Sequence, residues 1–134
     1  MDKNSLDISI IIIGHNSQKP LQLLLESLSL INDKNEVLEI IYIDDCSIDK
    51  SFSLFKNFKL DFDKNCYQFK KNRGRVFARQ KGVALAKGKW FLFLNSNVTV
   101  DINIITNYKK TVGLKLVKAY AGSIEYQSKD IQFE

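Results

Sequence analysis

Four short polar clusters hold the residue types that can do chemistry: Gly14-His15-Asn16, Asp44-Asp45, Asn72-Arg73-Gly74 and Asn95-Ser96-Asn97, with Arg79 close behind the third. Neighbouring carboxylates such as Asp44 and Asp45 accept hydrogen bonds from a ligand, or they cap a following helix. A guanidinium at Arg79 pairs with a carboxylate or phosphate through two parallel hydrogen bonds. Arg75, one helical turn earlier, faces the same side. The fourth cluster is the odd one. Two carboxylates at Asn95 and Asn97 would suggest a divalent metal; an amide oxygen can coordinate one but brings no net charge.

Each cluster follows an apolar run that must position it. Ile8 to Ile13 reads as a strand buried on both faces. Leu21, Leu24, Leu25 and Leu28 then recur at helical spacing, with Ser17 as N-cap and Pro20 in the first turn. A second strand is predicted over Glu39 to Ile43, and a helix over Ser47 to Phe58 capped by Ser47 or Asp49. Further strands are predicted at Cys66 to Lys70 and Trp90 to Leu94. Between them a helix from Arg75 to Lys87 repeats Val76 with Val83 and Phe77 with Ala84, and Gly88 ends it at C′. Beyond Asp101 a helix interrupted by Gly113 and a last strand from Ala119 to Tyr126 are expected. Strands alternating with helices imply an α/β fold with a mostly parallel sheet. Such a sheet puts all four clusters on one edge, where binding crevices form.

With 134 residues, the chain 1–134 is expected to be a single domain, and its 45% hydrophobic and 26% charged content is that of an ordinary globular protein. No apolar run reaches the length of a membrane span, and "MDKNSLD" has no signal-peptide character, so the cytoplasm is the expected compartment. Cys46 and Cys66 lack metal-ligand spacing and are expected as reduced thiols. The net charge of +5 is scattered except between Lys70 and Lys81, where six residues are basic. A solvated face explains that cluster as well as a polyanionic partner does, and nucleic acid is not expected. The glycine patterns of dinucleotide folds and phosphate loops are both missing. A phosphoacceptor receiver domain has about this length, but its acidic pair follows the first strand; here the pair follows the second.

The segments "ISIIIIGHN", "EIIYIDDCSIDKS" and "NRGRVFARQKGVALAKGKWFLFLNSN" resemble, in order and spacing, the family-2 glycosyltransferases of the GT-A fold over about Ile8 to Asp101. The resemblance implies a Rossmann-like nucleotide-binding domain, mostly parallel with flanking helices, that takes a nucleotide-diphosphate sugar, usually a uridine one. Asp45, or else Asp44, would meet the base, with Gly14, His15 and Asn16 lining the pocket; Asn72, Gly74, Arg79 and Ser96 complete the implied nucleotide site. Asn95-Ser96-Asn97 stands where the family carries Asp-x-Asp, the motif that holds Mn²⁺ or Mg²⁺, so Asn95 and Asn97 would form a degenerate metal site. The chemistry implied is inverting glycosyl transfer. The chain runs only 33 residues past Asp101, and Glu125, Asp130 and Glu134 are its last carboxylates, none of them marked as the general base. The expectation is therefore a nucleotide-binding half without its acceptor module, catalytically incomplete alone, working with a protein partner or a second copy, in the cytoplasm or at the inner membrane face. The rival expectation is a non-catalytic interaction module that kept the fold.

Overall fold

Ile8–Gly14 (β1) and Val37–Asp44 (β2) are rich in isoleucine and lie side by side at the centre of a four-stranded parallel sheet. The structure, a computed structural model, describes residues 5–113. Between the two strands come helix Gln18–Leu28 (α1) and a short 3-10 turn, Lys34–Glu36. Helix Ser51–Asn57 (α2), strand Asp63–Gln68 (β3), helix Arg75–Leu85 (α3), strand Trp90–Asn95 (β4) and helix Ile104–Gly113 (α4) follow. The strand order is β3-β2-β1-β4. The chain winds outward through β2 and β3, then returns to set β4 on the other side of β1. Two central strands with no free edge must be apolar on both faces, which is what the isoleucine runs supply.

Alternation along β1 and β2 divides the core in two. Ile10, Ile12, Ile40 and Tyr42 pack with Leu21, Leu24, Leu25 and Leu28 of α1, Phe55 of α2 and Ile105 of α4. Ile11, Ile13, Ile41 and Ile43 meet Ala78 of α3 on the opposite face. Polar locks close the ends. Glu36, buried beneath α4, accepts the Leu6 amide at 2.6 Å and pairs with Lys109 at 2.7 Å. The Lys64 ammonium sits on the carbonyls of Phe55 and Phe58 at the end of α2, at 3.0 and 2.5 Å, where a cation suits the helix dipole.

Several boundaries differ from the sequence expectation. Helix α2 begins at Ser51 rather than Ser47. Residues 47–50 form a loop because Ser47 is tied back to Asp44 and the Ile48 amide to Asn16. Strand β3 is Asp63–Gln68, three residues earlier at its start than Cys66, because pairing of Glu39 with Asp63 and Asp44 with Gln68 sets its frame. Helix α3 ends at Leu85, and its buried face is Ala78 and Gly82, not the valine and phenylalanine pairs. Val76, Phe77 and Val83 are 64%, 48% and 39% exposed. Small residues win that face because the helix rides close to the sheet: a Cβ on Gly82 would run into Ile11.

Gly88 is not the C′ residue of α3, whose C-cap is Ala86. It lies against β1, where a Cβ would meet Ser9 Oγ at 2.6 Å, and its amide donates to that oxygen at 2.9 Å. The same hydroxyl donates to Glu39, which also accepts the Lys87 amide at 2.7 Å, while the Lys89 amide reaches the Asp7 carbonyl. Ser17 is the N-cap of α1, yet its hydroxyl caps nothing and points elsewhere. Cys46 and Cys66 are free. No helix among the described residues is long and apolar enough to cross a membrane. The strand expected at 119–126 and the carboxylates Glu125, Asp130 and Glu134 lie outside the described residues.

Candidate functional site

The order β3-β2-β1-β4 reverses direction between β1 and β4, and in open parallel sheets a ligand crevice lies at such a switch point, beyond the carboxyl ends. Gly14 ends β1 there. A Cβ at this position would meet Ser96 Oγ at 2.7 Å and the Tyr42 hydroxyl at 2.9 Å, so only glycine lets the ends of β1, β2 and β4 close together. Beneath them Ser17 Oγ and Ser96 Oγ share a hydrogen bond of 2.5 Å, and both residues are buried. Ser96 is thus part of the floor.

The acidic pair at the end of β2 splits into two roles. Asp44 is fully buried. Its oxygens accept from the Tyr42 hydroxyl at 2.6 Å, the Ser47 hydroxyl and amide at 2.7 and 2.8 Å, and the Gln68 amide at 3.0 Å. Those four bonds use the acceptor capacity of a carboxylate. Burial pushes the Tyr42 hydroxyl far above the usual tyrosine range, and its bond to the charged Asp44 adds to this, so it stays a donor. Asp45 accepts the Arg73 amide at 2.6 Å and the Gly74 amide at 3.0 Å, one on each oxygen, which leaves a lone pair on each. Neither aspartate caps α2. One fixes the turn after β2, and the other ties that turn to the entrance of α3.

His15 and Asn16 extend the network. The Asp45 carbonyl can only accept, so His15 Nδ1 carries the proton and donates at 2.7 Å, leaving Nε2 to accept from Asn16 Nδ2 at 3.1 Å. The other end of that amide, Oδ1, accepts the Ile48 amide at 2.8 Å, which fixes its orientation. His15 is exposed and its ring is held at the crevice mouth. Asn16 and Cys46 adopt left-handed backbone, φ +46° and +63°, at facing turns after β1 and β2. Asparagine tolerates that region, so Cys46 is the strained one of the two. Asp49 bridges the starts of two helices, accepting the Ser51 amide and hydroxyl at 2.9 and 2.5 Å and the Gln18 amide at 3.2 Å. Lost hydration raises its pKa, but the Ser51 and Gln18 bonds and the nearby His15 outweigh that and hold the carboxyl below its usual value.

Gly74 precedes α3 at φ +88°, and nothing lies within 4 Å of where a Cβ would stand, so conformation and not space requires glycine. Asn72 is exposed before it, and Arg75 and Arg79 are exposed one turn apart on α3. Strand β4 stops at Asn95; Ser96 and Asn97 form a turn in which the Val98 amide reaches the Asn95 carbonyl at 3.4 Å. The extended geometry that would set Asn95 and Asn97 side by side does not continue. Both amides are exposed. The donor set available to a divalent ion is therefore two neutral amides and a hydroxyl already bonded to Ser17. Among the described residues no group of three His, Cys, Asp or Glu is placed to hold a metal. This set fits Mn²⁺ or Mg²⁺ poorly, since both favour charged oxygen ligands.

Sequence reasoning misses three supporting residues. Ser47 is expected only as a cap, yet it binds Asp44 and accepts the Asn16 amide at 2.8 Å. Gln68 closes the Asp44 shell from β3, a contact that depends on the strand frame and has no sequence signal. Cys46 occupies a left-handed position for which glycine is the ordinary choice, which the cysteine conceals.

The sequence profile of glycosyl transferase family 2 matches residues 9–107, from β1 into α4. The uncharacterized glycosyltransferase YfnE of Bacillus subtilis (strain 168) is 28% identical over 102 residues, 76% of this chain and 26% of that protein. TarS 1–349 of S. aureus, solved with UDP-GlcNAc, aligns with a TM-score of 0.73 at 24% identity over 81% of this chain and 31% of its own. The mannosyltransferase PcManGT of Pyrobaculum calidifontis, solved with GDP-Man and Mn²⁺, aligns at 0.70 and 15% identity over 76% and 31%. This chain spans about a quarter of YfnE and about a third of each of those structures. The profile takes in all four strands and the polar turn behind each, so the chain belongs to glycosyl transferase family 2 and its sheet is the GT-A sheet.

Proposed function

We propose that this domain binds a nucleoside-diphosphate sugar, with uridine as the base, at the carboxyl edge of the sheet, and that it serves as the donor side of a glycosyl transfer. The observation that carries the reading is Asp45. It sits 6% exposed at the junction of the β1, β2 and α3 ends, with acceptor capacity left on a carboxylate that its two backbone donors hold in place. A uracil imide N–H is a donor that matches it. The neighbouring His15 ring, fixed in one tautomer, offers a flat surface to the base. Gly14 lets the strands close beneath the nucleotide, and Asn16 keeps His15 in place. Asn72 and Gly74 border the ribose side. Arg79, with Arg75, stands ready for the diphosphate. Asp44 and Ser96 act as frame, because their polar atoms are already committed.

In the transfer itself an acceptor hydroxyl attacks the anomeric carbon, the bond from that carbon to the phosphate oxygen breaks, and the nucleoside diphosphate leaves carrying the electron pair. Arg79 would offset the charge that develops there. The hydroxyl proton needs a general base, which we assign to none of the described residues. TarS with UDP-GlcNAc and with UDP supports the choice of donor.

The two amides favour a second reading, a non-catalytic module that kept the fold. One calorimetric screen of uridine, guanosine and thymidine diphosphates, each with and without Mn²⁺, separates the two. Donor binding predicts saturable uridine diphosphate binding that Mn²⁺ changes little. Silence toward all three nucleotides under both conditions would leave the interaction module.

A further inference from the structure

From Lys64 to Val100 the chain carries nine Lys or Arg residues and no Asp or Glu. They span most of β3 and all of α3 and β4, and they are densest in the turn between β3 and α3. Lys70, Lys71, Arg73 and Arg75 are exposed at the entrance to α3. The ion pairs found among the described residues involve Lys34, Lys89 and Lys109, and none of these four. Aromatic rings stand in for counter-charges. The Arg73 guanidinium lies 4.8 Å from the centre of the Phe77 ring, Lys81 lies 4.2 Å from that of Tyr67, and Tyr67 meets Phe69 edge to face at 5.3 Å.

The apolar residues here point the wrong way for a core. Helix α3 gives the sheet only Ala78 and Gly82 as buried residues, while Val76 and Phe77 stay 64% and 48% exposed among the cations. Unpaired like charges repel one another, and bare apolar side chains order water; a surface that is anionic and apolar at once relieves both. A bilayer with anionic headgroups is such a surface. A soluble polyanion answers only the cations. A single-stranded nucleic acid can stack on Phe77, but it offers nothing to Val76.

We propose that Lys70, Lys71 and Arg73, with Val76 and Phe77, dock this protein on an anionic phospholipid bilayer, the cations on headgroup phosphates and the two apolar side chains at the acyl boundary. Asp45 holds the amides of Arg73 and Gly74, so the docked surface adjoins the candidate site and brings it close to the membrane plane. The proposal rests on this surface alone and does not require the nucleotide reading.

The test uses the whole chain in vesicle sedimentation at low salt, with phosphatidylcholine vesicles made with and without phosphatidylglycerol. Binding is expected only with the anionic lipid, and added salt should weaken it. Lys70→Glu with Lys71→Glu should lower partitioning by more than tenfold, since each cation near an anionic surface is worth about fivefold. Val76→Ser with Phe77→Ser should lower it as well, with melting temperature unchanged because both positions are exposed. Absence of binding to anionic vesicles would overturn the proposal. So would binding indifferent to the Val76 and Phe77 changes, or tighter binding to poly-uridine RNA or polyphosphate than to the vesicles.

Discussion

The half of the domain built from β1, α1, β2 and α2 and the half built from β3, α3 and β4 obey different rules. Every residue of β1 is buried, and α1 turns four leucines inward. Strands β3 and β4 alternate between half-buried and exposed along most of their length, and α3 buries one alanine and one glycine. The first half is held by side-chain volume, the second by close backbone approach. Their polar chemistry divides in the same way. The β2 end carries two buried carboxylates with named partners, whereas the β4 end carries two exposed amides.

The largest contrast should appear in stability. Leu24→Ala, at a fully buried position of α1, should cost about 2 to 5 kcal/mol in denaturant unfolding. Val83→Ala on the outer face of α3 should stay within about 0.5 kcal/mol. A comparable loss at Val83 would mean that the second half is packed in a way its exposure conceals. Next comes Asp45→Ala, which should weaken uridine diphosphate binding by about 1 to 3 kcal/mol, the scale of a charge-assisted hydrogen bond. An unchanged calorimetric affinity would confine Asp45 to clamping Arg73 and Gly74.

The comparison of strand ends is sharpened by giving β4 the charge that β2 has. The double change Asn95→Asp and Asn97→Asp should make nucleotide binding Mn²⁺-dependent, by about tenfold, because carboxylates supply what the amides lack. If the unchanged protein already needs Mn²⁺ to bind, the turn is a working metal site and the contrast between the strand ends disappears. The smallest expected effect is at Cys46. Glycine there should relieve about 1 to 2 kcal/mol of left-handed strain, while its added freedom in the unfolded chain takes back about 0.5 to 1 kcal/mol. A net rise in melting temperature is the expected result; a fall would show that the cysteine side chain packs.

The two halves are not equally legible in the sequence. Strands β1 and β2 and helix α1 follow from isoleucine runs and leucine spacing, because burial on both faces leaves a continuous apolar signature. Strand β3 begins with Asp63, Lys64 and Asn65, which carry no such signature, and its frame comes from β2. The face of α3 is misread from sequence because its largest apolar residues look like the inner ones. In a helix that approaches this closely, size is excluded from the contact, so Gly82 and Ala78 occupy it and Val76 is left outside. The place of the site is legible, since a parallel sheet carries every strand end to one edge. The partners of its residues are not. Nothing in the order of residues says that Asp44 exhausts its acceptors internally, that Ser17 and Ser96 meet, or that the chain turns at Ser96.

At the opposite edge, the buried Glu39 accepts both the Ser9 hydroxyl and the Lys87 amide, and Ser9 in turn receives the Gly88 amide. Loops usually open to solvent before the elements they join, because few buried bonds hold them. Lifting this loop would take a donor from a buried carboxylate of β2, so it is held more firmly than an ordinary surface turn. The loosely packed half is thereby anchored to the tightly packed one at the end of the sheet away from the candidate site.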